Sequence, residues 1–379
     1  MDDAKEAVEL LKNLVSFDTN AEEKKYIPLV KFLEKWLKKN RMKFKTISPK
    51  TPDGTKRPTI VVEKGEGGKT LLVATHYDTV PTEKNKWDTD PFKLTEREGK
   101  LYGSGATDCK GNIVAGLLAL KNSNPGYRVK LLIAPDEEIG GEFGLKYLHE
   151  KKLLEGNAAI VLDGGLEATV GASGCILGEI TVKGKGGHAG MPFLTENPIE
   201  KAILLMQELR AYEFLREGTY SKFTDEKGRP IYGRFSFTVL KAGSKENVVP
   251  EKATIGFDLR ALPEENIDDV ELEFMSFFEK IAGKIGADAE IKIKSKNKPY
   301  ISKGPFAEYI KNVFGMKKDC AEWGSNDGIF FADRMQTVCF GVGRDENNIH
   351  APNEFVYLED IMGIKEKLEK IFGDENALA

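Results

Sequence analysis

The sequence predicts an α/β fold: a discontinuous domain with a mixed central sheet flanked by helices, interrupted by an inserted α+β domain of ferredoxin-like element order. Three observations predict it. Short, almost wholly apolar runs alternate with helical stripes in the first part of the chain, as strands buried on both faces of a sheet do. From Gly174 the runs alternate apolar with polar, the pattern of a sheet with one wet face. From about Lys294 the first pattern returns. The expected boundaries are residues 1–176 and 294–379 for the discontinuous domain and 177–293 for the insert.

Val8, Leu11, Leu14 and Val15 recur at helical spacing, and Ile27, Leu29, Val30, Leu33, Trp36 and Leu37 form a second stripe, so two amphipathic helices open the chain. A turn-rich stretch from Pro49 to Pro58 precedes expected strands at 59–62, 71–74, 129–134 and 159–162. Helices are expected at 111–120, rich in small and aliphatic residues, and at 143–154. Within the insert, strand 180–183, helix 198–214, strands 234–240 and 253–259, helix 267–285 and strand 289–293 give a β-α-β-β-α-β order. Helix 306–314, strand 336–340 and helix 358–372 complete the chain, with a tail from Asp374 expected to fray.

At 379 residues the chain is long enough for one large domain or two ordinary ones. Its 31% charged and 40% hydrophobic residues exclude a fibrous or globally disordered protein. A net charge of -4 leaves no basic surplus for nucleic acid or an anionic membrane. The four cysteines, Cys109, Cys175, Cys320 and Cys339, are widely spaced and too few to staple the chain, which fits a reducing cytoplasm. The acidic start is unlike a secretory signal, and no run approaches the ~18 apolar residues of a membrane span.

Chemistry-bearing residues gather where strands end. His76 follows the apolar run 71–74, and alternate side chains put His76 and Asp78 on one side, where a carboxylate can orient an imidazole that binds metal. H-x-D alone describes a packed strand-end histidine equally well. Asp108 closes a glycine-punctuated loop and precedes a helix, a place that also suits a plain N-cap. Asp136, Glu137 and Glu138 follow another buried strand; three adjacent carboxylates repel unless a cation sits there, which favours metal over a solvated acidic turn. Asp163 ends a further strand, and His350 follows a strand and a glycine loop.

Taken together, two histidines and three carboxylates exceed one tetrahedral zinc and suit a pair of divalent ions sharing a bridging carboxylate. Ligands of open α/β sheets collect at one edge of the strands. Glu137 is then a spare carboxylate able to act as base.

The strings His76-Tyr77-Asp78-Thr79-Val80-Pro81, Tyr102 to Gly111, Asp136-Glu137-Glu138, Gly186-Gly187-His188-Ala189-Gly190 and Ile349 to Glu354 resemble, in order, the signatures of one superfamily. It is the group of co-catalytic zinc amidohydrolases with a zinc-peptidase-like fold that contains aminoacylase, acetylornithine deacetylase, succinyl-diaminopimelate desuccinylase, glutamate carboxypeptidase and related dipeptidases. The likeness runs from about residue 5 to 373. It implies two zinc ions per chain, with cobalt or manganese as substitutes: His76 and Asp163 on one, Glu138 and His350 on the other, Asp108 bridging. It implies that Asp78 orients His76, that Glu137 is the general base, and that a cis peptide follows Asp108. His188 would reach the substrate carbonyl oxygen, often from the partner of a homodimer.

The resemblance also implies that Asn247 and Arg260 contact a substrate carboxylate, for which an arginine fork is suited, while Gly324 and Ser325 line the pocket opposite. An ordinary edge-strand salt bridge is the competing reading of Arg260. His149 reads as a surface residue. The implied substrate is an N-acyl amino acid or short peptide with a free carboxylate. Asp163-Gly164-Gly165 is closer to the carboxypeptidase and dipeptidase branches, whereas Ser325-Asn326-Asp327-Gly328 resembles the desuccinylase loop. The expected activity is deacetylase or desuccinylase hydrolysis of an N-acyl amino acid, with carboxypeptidase or dipeptidase action as the alternative.

Overall fold

The computed structural model describes residues 2–379. By contact the chain divides into two compact units: unit 1 runs to Val170 and resumes over Ser302–Cys320 and Asn326–Ala379, while unit 2 comprises Gly171–Ile301 and Ala321–Ser325.

Unit 1 opens with helix α1 (Asp3–Val15), whose start is capped by the Asp2 carboxylate, and α2 (Ile27–Lys39). Strands β1 (Lys43–Ile47), β2 (Thr59–Lys64) and β3 (Thr70–His76) follow, then α3 (Asn112–Asn122), β4 (Arg128–Ala134), α4 (Leu145–Glu150) and β5 (Ala158–Leu162). Helix α4 is six residues long, shorter than expected, because Gly141 to Gly144 form a turn ahead of it. Strand β1 went unpredicted: it is an edge strand whose Lys43 and Lys45 face water, so it lacks an apolar run.

Unit 2 contains β6 (Gly174–Lys183), α5 (Pro198–Glu217), β7 (Arg234–Ala242), β8 (Lys252–Ala261), α6 (Ile267–Ile285) and β9 (Ala289–Asn297). Their sheet order is β7-β8-β6-β9, with every neighbouring pair antiparallel. One face buries Phe235, Phe257 and Leu259 with Tyr212 of α5 and Phe274 of α6. The alternating polar residues therefore occupy the other face. Each helix begins at an asparagine cap, Asn197 or Asn266, whose side chain accepts a backbone N–H two residues on.

Back in unit 1, α7 (Pro305–Phe314), β10 (Gln336–Phe340) and α8 (Leu358–Gly373) complete the fold. The six-stranded sheet runs β1-β2-β4-β3-β5-β10. β3 lies between β4 and β5 and is parallel to both, and β10 is parallel to β5, whereas β1 and β2 join antiparallel. Every residue of β3 is buried. The α1, α3 and α8 helices pack together, while α4 joins a core containing Leu72, Ala74, Leu132 and Val161. The tail does not fray: Ala377 and Leu378 are buried, and the Leu378 carbonyl accepts from Lys69 Nζ. Among the described residues no helix is long and apolar enough to cross a membrane.

Candidate metal centre

Parallel strands put their C-terminal ends at one edge, and that edge is where the candidate ligating side chains of unit 1 appear. β3 ends in His76, β4 is followed by Asp136–Glu138, β5 by Asp163, and β10 by the loop that carries His350. Asp108 arrives from a wide helical turn, 106–111, with a cis Asp108–Cys109 peptide. Gly105 begins that turn at φ +74, where an added Cβ would lie 2.6 Å from Thr79 Cγ2, so only glycine fits.

Asp108 sits at the middle. Its Oδ1 is 2.9 Å from His76 Nε2 and its Oδ2 is 3.1 Å from His350 Nε2. His76 Nε2 also lies 3.4 Å from Asp163 Oδ1, and His350 Nε2 lies 3.0 Å from Glu138 Oε2. The donor atoms form two clusters, His76, Asp108, Cys109 and Asp163 in one, Asp108, Glu138 and His350 in the other, each spanning no more than 4.8 Å. His76 Nε2 and Asp108 Oδ1 are buried with no hydrogen-bond partner. Two facing acceptor groups left bare in a dry interior fit a cation held between them. The hard-oxygen and imidazole donor set suits zinc, cobalt or manganese.

The charge balance agrees. Burial pushes Glu137 well above the carboxylate range, with Asp163 and Asp327 adding to the effect. Burial likewise carries Glu138 up to about 7 and raises Asp163. The Asp108 and Glu138 hydrogen bonds raise His350 to about 11. Burial opposes ionisation of Asp108, but the contact with His350 and the charges of His76 and His350 hold it low. Crowded acids that resist ionisation without a counter-charge are what a divalent cation relieves.

The three carboxylates that follow β4 separate in role. Asp136, buried at φ +66, points away from the cluster and accepts from Tyr26 Oη at 2.9 Å and Arg57 Nη1 at 2.9 Å. It is a structural anchor, which leaves Glu137 and Glu138 as the two acids of the run that a cation would relieve. Asp78 also differs from expectation. Its carboxylate accepts the backbone N–H of Glu137 (3.2 Å) and Glu138 (3.1 Å), while His76 Nδ1 lies nearer the Asp78 carbonyl oxygen (3.1 Å) than its carboxylate (3.5 Å). Asp78 thus orients the turn that presents both glutamates, and its main chain orients the imidazole.

Glu354 and Asp327 were missed as site residues. Buried Glu354 accepts the backbone N–H of Gly105 (2.7 Å), Thr107 (2.8 Å) and Asp108 (3.0 Å), fixing the turn that presents Asp108. It stood in the His350 string, where its four-residue spacing was the available signal. Asp327 is buried, which raises its carboxyl to about 7, with Asp163 and Asp78 contributing. Cys109 is a buried thiol that donates to the Leu162 carbonyl at 2.9 Å; burial pushes it up to about 12, so it stays protonated. His149 is half-buried rather than on the surface, with Nδ1 2.8 Å from the Phe330 carbonyl oxygen.

The five remaining expected residues, His188, Asn247, Arg260, Gly324 and Ser325, all belong to unit 2. His188 pairs with Val248 in a short ladder, beside Asn247, whose carbonyl accepts the Ala189 N–H at 3.0 Å. Arg260 and Gly324 line a separate cavity, and the Arg260 fork is closed on Asp258 at 2.7 and 2.8 Å. Arg260 lies on the interior strand β8, so this pair is not an edge-strand bridge. Ser325, also in unit 2, has a buried Oγ without a hydrogen-bond partner.

A strand edge gathering two histidines and several carboxylates around a shared aspartate defines a metal-dependent hydrolase of amide or peptide bonds. The chain belongs to peptidase family M20/M25/M40, whose model matches residues 72–372. It is 30% identical over 356 residues to an uncharacterized metallohydrolase of Methanocaldococcus jannaschii, covering 84% of each chain. It is also 30% identical over 334 residues to succinyl-diaminopimelate desuccinylase of Sulfurovum sp., covering 82% of this chain and 84% of the relative. Among solved structures, human carnosine dipeptidase 1 matches with a TM-score of 0.76 at 18% identity, over 99% of this chain and 97% of that one.

Proposed function

We propose that this protein hydrolyses the amide bond of an N-acyl amino acid, in the manner of a deacetylase or desuccinylase. The observation that carries the reading is Asp108, whose two carboxylate oxygens face different histidines, His76 at 2.9 Å and His350 at 3.1 Å. His76 and Asp163 would hold one zinc ion, Glu138 and His350 a second, and Asp108 both; cobalt or manganese would substitute. When bound, such a pair lowers the pKa of water and polarises a carbonyl.

The chain's own groups do the rest. Glu137 takes the proton of the attacking water and delivers it to the departing amine; its partly dry, acid-crowded position raises its proton affinity, which suits both halves of that task. Asp78 holds Glu137 and Glu138 in place through their backbone N–H groups. His188 Nδ1 accepts the Gly190 N–H at 2.9 Å, which leaves the proton of a neutral imidazole on Nε2 as a donor for the substrate's carbonyl oxygen. Asn247 and Arg260, as the resemblance implies, would recognise a carboxylate, with Gly324 and Ser325 lining the pocket opposite.

The likeness to desuccinylase sequences supports the acyl amino acid reading. Asp163-Gly164-Gly165 and the likeness to a dipeptidase structure favour the second, carboxypeptidase or dipeptidase action. A homodimer is proposed through unit 2, supported by exposed Ile203 and Leu204 on α5 and Leu240 on the edge strand β7. The test is release of amine from N-acetyl amino acids, N-succinyl amino acids and unblocked dipeptides by metal-stripped protein, with and without added zinc. Metal-dependent turnover of the acylated set alone supports the first reading; turnover of dipeptides alone selects the second.

A further inference from the structure

We propose that unit 2 carries a carboxylate pocket whose principal ligand is Arg234, and that it selects substrates bearing a second carboxylate on the acyl arm. The inference rests on the acyl amino acid reading for its substrate and on unit 2 alone for its geometry.

The two-residue period of β7 sends Phe235 into the core and puts Arg234, Ser236 and Thr238 on the opposite face. Register sets Arg234 directly across from Arg260, and Ser236 across from Asp258. With Trp323 and Gly324 these side chains line a cavity of about 410 Å³. Like charges facing across a ladder repel, so two arginines here need two counter-charges. The cavity lining contains one carboxylate, Asp258, and both of its oxygens are taken by Arg260.

Arg234 therefore has no acid of its own. Its Nη2 donates to the Trp323 carbonyl at 2.7 Å and its Nη1 to the Tyr232 carbonyl at 3.3 Å, while the guanidinium lies 4.8 Å from the centroid of the Trp323 ring. Neutral partners fix the plane of the fork, and none of them cancels its charge. Cys175, on β6 across β8 and opposite Arg260, is pushed up to about 11 by burial and supplies no anion. A planar carboxylate matches an arginine fork, and the Ser236 and Thr238 hydroxyls add donors along the same face. The volume admits a short aliphatic arm behind that carboxylate.

Trp323 is a built-in reporter. The experiment titrates the full-length protein with succinate, with neutral succinamide and with inorganic phosphate, following tryptophan emission, in wild type, Trp323→Phe, Arg234→Met and Arg234→Lys. A saturable change with succinate, absent with succinamide and lost in Trp323→Phe, is expected. Arg234→Met weakens succinate roughly 10- to 100-fold, and Arg234→Lys, which keeps the charge without the fork, restores part of it. Calorimetry on the same variants gives the affinity independently of the fluorophore, and a thermal melt checks folding. In turnover, Arg234→Met raises KM for N-succinyl more than for N-acetyl amino acids, with little movement of kcat.

No saturable binding of succinate, an affinity untouched by either Arg234 variant, or phosphate binding tighter than succinate each overturns the proposal. Succinate binding at Arg234 without hydrolysis of any amide removes the functional reading and leaves the pocket. Hydrolysis of acyl amino acids with succinate affinity unchanged by Arg234→Met does the reverse.

Discussion

The two largest sheets of this molecule hold similar polar side chains in opposite surroundings. In unit 1, β3 is buried from Thr70 to His76, and its polar chemistry begins only where the strand stops. In unit 2, β7 and β8 present Arg234, Ser236, Asp258 and Arg260 along their length on a face that no helix of the unit covers. The outcome differs accordingly. At the dry strand ends, acids crowd one another, Glu138 rises to about 7, and two acceptors are left bare. On the wetter face, Arg260 and Asp258 satisfy each other. Burial turns the same residue types from self-neutralising pairs into a site that needs a cation.

Four experiments would break or sharpen that contrast. The largest effect is expected from Glu137→Gln, which keeps shape and removes the proposed base. Turnover should fall roughly a hundred- to ten-thousand-fold while metal content, measured by elemental analysis, is unchanged. Retained turnover in a metal-replete variant would remove Glu137 from the mechanism. Next is Arg57→Met, which strands Asp136 in the interior with Tyr26 as its remaining side-chain partner. A loss of about 3–5 kcal/mol in denaturant unfolding is expected, as for other broken buried pairs. A loss near zero would mean that Asp136 simply takes up a proton.

Glu354→Gln should act more gently and through metal affinity. The amide oxygen can still accept from Thr107 and Asp108, but the NH2 group then faces the Gly105 N–H. A roughly 10- to 100-fold weaker metal affinity is expected by competition with a chelator, with folding retained. The smallest effect belongs to unit 2: Lys183→Met breaks an exposed 3.0 Å pair with Glu290 and should leave the melting temperature unmoved. A clear drop there would show that surface pairs matter in this protein as buried ones do.

Much of this was legible in the chain. The uniform apolar runs marked β3, β4 and β5 because burial on both faces leaves no polar position, and the alternation of 234–240 marked a half-wet strand. The five candidate ligands stood out because His76, Glu138 and Asp163 come soon after such runs, and Asp108 and His350 stand in glycine-bearing loops nearby. Residues whose role depends on a partner distant in sequence were harder to read. Glu354 is 246 residues from the Asp108 N–H it accepts, and Asp136 is 79 residues from Arg57. Nothing local distinguishes Asp136 from Glu137 and Glu138. Strand β1 was invisible because an edge strand with outward lysines has no apolar signature.

By itself, the sequence determined the element types, the mixed α/β character and the family, because periodicity and motif order are local properties that survive without coordinates. The tertiary structure alone decided which carboxylates converge. The parallel arrangement of β4, β3, β5 and β10 brings four strand ends to one edge. A left-handed backbone at Asp136 turns one acid away to Tyr26 and Arg57 while its two neighbours join the cluster. In unit 2, register places Arg234 against Arg260, and the closing of Arg260 on Asp258 leaves the other guanidinium without an acid. Sequence spacing carries the direction a side chain leaves its own strand; the group it meets depends on the strand beside it.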